Sequence, residues 1–479
     1  TTEIYTLSLH DALPIFSELR GPINTEFKVE GQGVDYRTMR TKLDFVINNS
    51  SVYGQNISRS EGQIQLNGGS ANLEIKYLSQ TLGSVIKGTI DFKNEANISY
   101  DLKGQTSKLD FATLTNNPDD RTDLNLDFAL VGAGFNLESI KQGTGFKPDD
   151  LTGEYLFKVD KSEYTGLEIP PSDFAIDIKL ENGEKLINVK SSFVDLQASG
   201  NYRFDIIPII LASNIKRISY QYAERLKLEL KDSLGAPISI SDMQDLNTLP
   251  PDMKLVYNIN IKNFLPIRLV MRDSSMTFTG KIKGEISQNK NKFKFVAVGD
   301  INKFSYKDTV FNLDETHFAV KLEDNNEGDI FEDITTKMYI SASKLGFGKS
   351  TIIDTVNFHF QTLDTNNLFR LYSKVDSNLK GFLKGDIIVL ENGVGILVDS
   401  LDLGYKNYNF FNRRDAKIYF LPRDSINNPV NNIFVDNLVL KDSLNQRIKI
   451  NGIYSINGAS DITVSGSRKI GRASCRERV

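Results

Sequence analysis

Gly346-Phe-Gly-Lys-Ser-Thr351 is the segment of this 479-residue chain that most resembles a reactive motif. It looks like the end of a phosphate-binding loop, in which backbone N–H groups and a lysine hold phosphate oxygens. The full pattern requires a glycine five residues before Gly348, and Ser343 occupies that position. No long helical pattern follows. We therefore interpret the segment as a turn between strands rather than a nucleotide site.

The histidines His317 and His359 could act as metal ligands or as acid–base groups. His317 precedes Phe318, and His359 lies between Phe358 and Phe360. The alternation places both histidines on the polar side of their strands. A metal site needs several converging ligands, and these two residues are far apart in the sequence. We predict solvated histidines, no metal and no cofactor.

Acidic pairs and clusters occur at Asp119-Asp120, at Asp149-Asp150 and over Asp324–Asp329. The last of these, DNNEGD, lacks the later glutamate that completes a calcium-binding helix-loop-helix. We interpret all three as loop carboxylates that face solvent. The chain contains no Gly-x-Ser-x-Gly nucleophile motif. The sequence therefore predicts a protein that is not an enzyme.

The two ends do not read as natural protein. TTEIYTLSLHDALPI, residues 1–15, matches an in-frame translation of a short-read sequencing adapter, and IGRASCRERV at the end matches its reverse complement. We set residues 1–15 and 469–479 aside as adapter translation. The only cysteine, Cys475, lies in the second segment. We expect the remainder, 16–468, to be an internal fragment of a longer protein.

The composition excludes several classes of function. The net charge is −4, without runs of lysine and arginine, and aromatic residues are not grouped with basic ones. These features argue against nucleic-acid binding. The most apolar stretch, Ile206–Ala212, is far shorter than the ~20 residues of a membrane-spanning helix.

Alternation with a period of two dominates the chain. Leu43–Ile47, Ala71–Tyr77, Phe174–Leu180 and Leu255–Ile261 each place apolar side chains on one face and polar ones on the other. This pattern predicts a sheet with one apolar and one solvated face. Most of these strands are expected to have fewer than about ten residues.

Glycines recur at similar places in the strand pattern, as in Ile86-Lys-Gly-Thr-Ile-Asp-Phe92 and Leu379-Lys-Gly-Phe-Leu-Lys-Gly-Asp-Ile387. We expect one strand to end at such a glycine and the next to begin directly after it. A glycine in a strand marks a bulge, a bend or a close approach of backbones. The repetition predicts a sheet that curls repeatedly in the same sense.

Tyr202–Leu230 interrupts the strands with apolar residues at helical spacing, and we predict an amphipathic helix that starts near Pro208. Such a helix either caps the sheet or lies on a membrane surface. Short helical turns are also expected around Leu137–Lys141 and Asn366–Tyr372. Ser241–Asp252 reads as a linker between two β-rich halves.

With these elements in place, Ile23–Leu114 resembles the AsmA-like superfamily, and its TamB-type envelope proteins in particular. The residues that carry the resemblance are INTEFKVEGQGVDYRTMRTKLDFVINNSSVYGQNISRSEGQIQLNGGSANLEIKYLSQTLGSVIKGTIDF and the strand Ala96–Leu102. The same pattern of short strands punctuated by glycines recurs in Phe193–Phe204 and Val435–Ile456. The similarity extends over most of 16–466.

The resemblance implies a mainly β fold, an elongated, curled antiparallel sheet that forms an open groove with one inserted amphipathic helix. The predicted helix and linker (202–252) divide this sheet into a first groove segment (16–201) and a second groove segment (253–468). It implies a non-enzymatic bridge across the periplasm of a diderm bacterium, anchored in the inner membrane. The bridge would carry phospholipid between the membranes or support outer-membrane protein assembly with an outer-membrane β-barrel partner.

The expected ligand is the acyl chain of a phospholipid, because transfer into water costs about 0.8 kcal/mol per methylene. The candidate lining residues are the apolar members of the alternating strands. They are Leu43, Phe45, Ile64, Leu66, Leu73, Ile75, Ile86, Ile90, Phe92, Leu124, Leu126, Phe128, Ile176, Ile178, Ile259, Ile261, Phe278, Phe293, Phe295, Phe358 and Phe360. Alternation alone does not distinguish a groove lining from an ordinary closed core.

Two other architectures remain open. One is a secreted β-rich structural or adhesin scaffold with a closed core and no lipid, which would show a stricter repeat. The other is a transmembrane β-barrel, which needs strands of about ten residues with aromatic girdles at both ends. Short predicted strands, aromatic residues in mid-strand and the helix argue against the second alternative.

Overall fold

The structure is a computed structural model, and it describes the following residues: 23–52, 55–79, 82–110, 112, 117, 121–136, 150–164, 166–214, 252–265, 268, 275–289, 292–306, 311–324, 334–347, 351–363, 366–376, 378–390, 393–412, 415–421, 432–444, 446–455, 459–467 and 476–478. Strands account for most of them, and the chain divides into two compact units, Thr1–Ser199 and Gly200–Val479. Each unit is described by itself below.

The first unit is an antiparallel sheet in which most strands pair with the next strand in the sequence. Its strands are β1 (Asn24–Gln32), β2 (Arg40–Val52), β3 (Gln55–Asn67), β4 (Ser70–Ser79), β5 (Gly83–Asp91), β6 (Ile98–Leu109), β7 (Thr122–Phe135), β8 (Thr152–Val159), β9 (Ser162–Tyr164), β10 (Leu167–Ile169), β11 (Ser172–Glu181), β12 (Glu184–Ser191) and β13 (Val194–Gly200), which ends at the unit boundary. The ladder runs from β1 through β8 and continues from β8 to β11 and β12.

The second unit begins with a helix, α1, whose described part covers residues 207–214. Its strands are β14 (Asp252–Ile261), β15 (Met276–Asn289), β16 (Lys292–Tyr306), β17 (Phe311–Asp324), β18 (Ile334–Phe347), β19 (Thr351–Ile353), β20 (Thr355–Leu363), β21 (Asn366–Lys374), β22 (Leu379–Leu390), β23 (Gly393–Tyr405), β24 (Tyr408–Asn412), β25 (Ala416–Leu421), β26 (Asn432–Lys441), β27 (Arg447–Ser455), β28 (Asp461–Ser467) and β29 (Arg476–Arg478). All the pairings described in this unit are antiparallel.

The predicted mainly β, antiparallel fold with an inserted helix is confirmed, and over the described strands the sheet does not close on itself. The sequence predicts a helix that starts near Pro208, and α1 begins at Ile207, so Pro208 lies in its first turn. The backbone N–H groups of Ile206 and Ile207 both donate hydrogen bonds to the carbonyl oxygen of Arg203. The remainder of the predicted helix, the linker 241–252 apart from Asp252, and the predicted turn over 137–141 lie outside the described residues. β29 lies within the segment assigned above to adapter translation.

Three expectations about the strands are wrong. Asn366–Tyr372 is strand β21 and not a helical turn, because Phe369 and Leu371 alternate with Leu368 and Arg370 across the sheet. Many strands are longer than expected, and β16 reaches 15 residues. The strands also continue through glycines such as Gly88 and Gly284 instead of ending there. Glycine retains the N–H and C=O groups that a ladder requires, so it can remain inside a strand.

Candidate functional site

The phosphate-loop-like segment joins two antiparallel strands. Gly346 and Phe347 end β18 and pair with Ile352 and Thr351 of β19, so the segment spans a hairpin. Residues 348–350 lie outside the described residues. A strand followed by a hairpin does not supply the helix N-terminus that holds phosphate in such loops. This geometry agrees with the interpretation as a turn.

Both histidines lie on the solvent-exposed polar face of the second unit. His317 Nδ1 lies 2.8 Å from Asp300 Oδ1 on the neighbouring strand, and both side chains are exposed. His359 is exposed on β20. Within the part of the chain that the structure describes, no group of three or more His, Cys, Asp or Glu side chains is arranged to hold a metal ion.

Strand register brings the predicted lining residues of the first unit onto one face. Residues that are paired across successive strands share a face of a sheet. One such row contains Phe27, Phe45, Gly62, Ile75, Ile86, Gly104, Phe128, Phe157 and Phe174. The adjacent row contains Val29, Leu43, Ile64, Leu73, Gly88, Leu102, Leu130, Tyr155, Ile176 and Val189. We call the face that carries these two rows the apolar face of unit 1.

The remaining predicted residues of this unit extend the same face. Leu66, Ile90 and Ile178 belong to the next row, and Leu124 and Leu126 lie on β7 four and two residues before Phe128. Phe92 follows β5 and packs against the ring of Tyr36, with ring centroids 5.6 Å apart. The alternation of the sequence thus identified the members of one continuous face.

The side chains of this face are half-buried in the middle of the strands. Leu43, Phe45, Leu73, Ile75 and Phe128 all fall in the intermediate range of exposure. Side chains in a closed core would be almost fully buried. The apolar face of unit 1 therefore presents hydrocarbon that remains accessible from one side.

One margin of this face contains a buried tyrosine pair that the sequence analysis missed. The hydroxyl oxygens of Tyr100 and Tyr155 lie 2.8 Å apart, and the Tyr155 hydroxyl donates to the carbonyl of Thr152. Burial and the hydrogen bond to Tyr155 raise the pKa of Tyr100. Gly132 lies opposite Tyr100, where a side chain would collide with both hydroxyls. Only the strand register reveals that Tyr100 faces Gly132, so no local sequence signal predicts this pair.

The opposite face of unit 1 is polar and carries cross-strand ion pairs. Lys87 Nζ lies 2.7 Å from Glu74 Oε1, and Gln63 donates a 2.8 Å hydrogen bond to Asp44. The hydrogen bond from Lys87 lowers the pKa of Glu74. These exposed pairs contribute little to stability, but they keep this face in water. Because the charged side chains lie on this face, only the apolar face of unit 1 is suited to bind hydrocarbon.

Surface depressions of the first unit lie mainly on this polar side. The depression bordered by Glu61, Lys76, Gln105 and Asp127 has a volume of about 760 Å³. A second, bordered by Asp101, Glu154 and Asp177 among others, has about 810 Å³. Apolar residues such as Val85 and Val131 also line these depressions. The candidate site is nevertheless the apolar face, because it is continuous across the strands of the unit.

In the second unit the register again places the predicted residues on one face, the apolar face of unit 2. Ile259 and Phe358 lie in one row, and that row also contains Ile282, Phe318, Ile340 and Leu371. Phe360 lies in the adjacent row and Phe295 in the one beyond it, while Ile261 and Phe278 lie toward the other strand ends. Phe293 shares the face but is only 4% exposed, so it belongs to a packed region.

Two packed regions of unit 2 were not predicted from the sequence. The C-terminal core consists of Val398, Ala416, Leu438 and Leu440, with Ile418 and other apolar residues packed around them. The second region lies under α1, where Ile210 is fully buried. Both depend on contacts between segments distant in sequence, and alternation carries no information about such contacts.

Among the described residues, no helix combines the length and the apolar character needed to cross a bilayer. The chain matches no protein-family model, no characterised protein and no solved structure.

Proposed function

We propose that this chain belongs to the TamB-type group of the AsmA-like superfamily and binds phospholipid acyl chains along its apolar sheet faces. In this proposal it acts without catalysis in the periplasm of a diderm bacterium. It carries lipid between the two membranes, or supports outer-membrane protein assembly with an outer-membrane β-barrel partner. The full-length protein would be anchored in the inner membrane.

The observation that carries the proposal is the continuous, half-buried apolar face of unit 1. Phe45, Ile75 and Phe128 lie in one register row, and none of the three is packed into a closed core. Exposing such a face to water is unfavourable by about 25 cal/mol per Å². A hydrocarbon ligand removes that cost and needs no directional polar contacts.

The proposal is tested by expressing the full chain in the periplasm of a Gram-negative host and analysing it by native mass spectrometry with lipid extraction. We expect at least one phospholipid per chain. Phe45→Asp and Phe128→Asp should reduce bound lipid. Their neighbours Val46 and Ala129 lie on the polar face with similar burial, so Val46→Asp and Ala129→Asp are matched controls. Circular dichroism verifies that each variant is folded.

A folded, lipid-free wild-type protein would contradict the proposal. That outcome would favour the alternative function, a β-rich structural or adhesin scaffold. The observation in favour of the scaffold is the C-terminal core, in which Val398 is 1% and Ala416 0% exposed. Such packing stabilises a sheet without any ligand.

A further inference from the structure

Four residues with hydroxyl groups form a row on the apolar face of unit 1, next to the row that contains Phe45 and Phe128. They lie on β3, β4, β5 and β6 and pair in register one after another: Ser60, Tyr77, Ser84 and Thr106. Each lies two residues along its strand from a member of the Phe45 row, so all four belong to the same face. We call these four residues the hydroxyl row.

The hydroxyl row differs from its surroundings on the same face. On the strands directly beside it the row continues with apolar residues, Ile47 on β2 and Leu126 on β7. On β3–β6 themselves, the opposite margin of the face consists of Leu66, Ala71, Ile90 and Tyr100. The hydroxyl of Tyr100 is already hydrogen-bonded to that of Tyr155. Over these four strands the face is therefore amphipathic, with hydroxyl groups along one margin and hydrocarbon across the rest.

Most of the hydroxyl row has hydrogen-bonding capacity to spare. Thr106 Oγ1 donates a 3.2 Å hydrogen bond to the carbonyl oxygen of Gly83. Within the described part of the chain, the hydroxyls of Ser60, Tyr77 and Ser84 make no hydrogen bond. Ser60 is only 5% exposed, and Tyr77 and Ser84 are half-buried. Removing a hydroxyl group from water is unfavourable unless it finds a partner, and an acceptor on a bound ligand supplies one.

The hydroxyl row offers neutral donors and no charge. The basic residues that precede Ser60 and Tyr77 in the sequence, Arg59 and Lys76, lie on the polar face, where both pair with Glu61. Phosphate groups are typically held by arginine or lysine, and neither belongs to the row. Hydroxyl groups instead suit neutral acceptors such as the ester carbonyl oxygens of a glycerophospholipid. These oxygens lie at the junction between the headgroup and the acyl chains.

We propose that the hydroxyl row binds the glycerol-ester region of a phospholipid, so that the acyl chains extend from this margin along the strands and over the apolar rows. The inference rests on the proposed function and deepens it, because it names ester-linked lipid as the ligand and fixes its orientation on the face. Neighbouring strands lie about 4.8 Å apart, so adjacent hydroxyls can serve the two ester groups of one lipid.

The width of the face suits an extended acyl chain. On β4 the residues from Tyr77 to Ala71 span about 20 Å, at about 3.4 Å per residue. The hydrocarbon of one bilayer leaflet, half of a core about 30 Å thick, is about 15 Å deep. A chain held by its ester group at the hydroxyl row therefore finds apolar surface along its whole length.

The experiment equilibrates the full chain with vesicles that contain equal amounts of ester-linked phosphatidylcholine and of its ether-linked analogue with the same chain length. The analogue keeps the headgroup and the hydrocarbon but lacks the ester carbonyl oxygens. Lipids bound to the reisolated protein are extracted and quantified by mass spectrometry. We expect the wild type to hold about three- to tenfold more ester lipid than ether lipid, as the loss of about one hydrogen bond predicts.

Near-isosteric substitutions remove the hydroxyl groups and preserve the shape of the face. The combined variant carries Ser60→Ala, Tyr77→Phe, Ser84→Ala and Thr106→Val. It should still bind lipid through the apolar rows, but should bind the ester and ether lipids equally. Circular dichroism verifies its fold, and if the combined variant does not fold, Tyr77→Phe alone should still reduce the ester preference.

Thr89→Val is the matched control. Thr89 lies on β5 like Ser84 and has similar exposure, but it belongs to the polar face, where its hydroxyl donates a 2.7 Å hydrogen bond to Asn72. This variant should keep the ester preference of the wild type. An equal loss of preference in Thr89→Val and in the combined variant would overturn the assignment to the hydroxyl row.

The remaining outcomes separate this inference from the proposed function. Equal binding of the two lipids by the wild type would overturn the role of the hydroxyl row and leave the proposed function in place. An unchanged ester preference in the folded variants would do the same. A wild-type chain that binds neither lipid would overturn the proposed function, and the role of the hydroxyl row with it.

Discussion

Phe45 and Gly62 lie directly opposite each other on β2 and β3, and the ring of Phe45 occupies the space that a side chain at position 62 would need. A Cβ atom on Gly62 would lie 2.8 Å from Phe45 Cζ and 2.8 Å from the carbonyl oxygen of Glu74. On the apolar faces five more pairs share this relationship, Phe128–Gly104, Tyr100–Gly132, Tyr257–Gly284, Phe318–Gly299 and Phe369–Gly385. Cross-strand aromatic–glycine pairs are thus a recurring unit of both apolar faces.

Gly62→Ala should lower the free energy of unfolding by about 1–3 kcal/mol, because the new methyl group overpacks against the Phe45 ring and the Glu74 carbonyl. Urea denaturation measures this loss. Phe45→Leu should recover part of it in the double variant, since the smaller side chain releases the ring contact. The expected coupling free energy is about 0.5–3 kcal/mol.

Gly466→Ala is the matched control for this prediction. Gly466 also lies in a strand, but the nearest atom to an added Cβ is 3.9 Å away. Its substitution should change stability by less than about 0.5 kcal/mol. Equal effects of the alanine substitutions at positions 62 and 466 would show that the ring contact does not determine the choice of glycine.

The sequence predicted which residues share a face, and the reason is local. Leu43 and Phe45 lie two positions apart, so any extended backbone places them on one side, whatever the rest of the chain does. Exposure, in contrast, depends on distant segments. Phe293 and Phe358 have the same kind of alternating context, yet Phe293 is 4% exposed and Phe358 stays half-buried. Phe293 pairs with Gln288, to which Asn214 of the distant helix α1 donates a hydrogen bond. The role of glycine inside strands was likewise hidden until the register revealed the opposed aromatic rings.

Stability above about pH 10 should depend on Tyr100. Its pKa is raised from the ordinary 10.0 by burial and by the Tyr155 hydrogen bond. As the pH passes about 10, the unfolded chain loses this proton while the folded chain retains it, so the folded state loses stability by up to about 1.4 kcal/mol per pH unit. The Tyr100 contribution is complete below pH 10 and declines above it.

Tyr100→Phe should therefore show a shallower loss of stability between about pH 10 and 12 than the wild type, measured by urea denaturation at each pH. Tyr257, whose pKa is also raised by burial, is present in both proteins and cancels in the comparison. Parallel pH profiles would contradict the assignment of this titration to Tyr100.

Alanine substitutions at Leu440 and Leu371 compare a packed region of unit 2 with an accessible one. Leu440 is 7% exposed in the C-terminal core, and Leu371 is half-buried on β21. Leu440→Ala should cost about 2–5 kcal/mol, because it leaves a cavity that the surroundings cannot fill. Leu371→Ala should cost less than about half as much, since solvent already reaches the side chain. Thermal and urea unfolding measure both, and equal losses would contradict the difference between the two regions.

Substitutions at Ile210 and Ile209 test whether α1 packs against the sheet of unit 2. Ile210 is fully buried, whereas its neighbour Ile209 is 48% exposed. Ile210→Asp places a carboxylate in an apolar contact, which costs several kcal/mol, comparable to the whole stability of a domain. We expect Ile210→Asp to abolish soluble expression and Ile209→Asp to fold normally, as judged by circular dichroism. Normal folding of Ile210→Asp would show that the fold of unit 2 does not depend on the contact with α1.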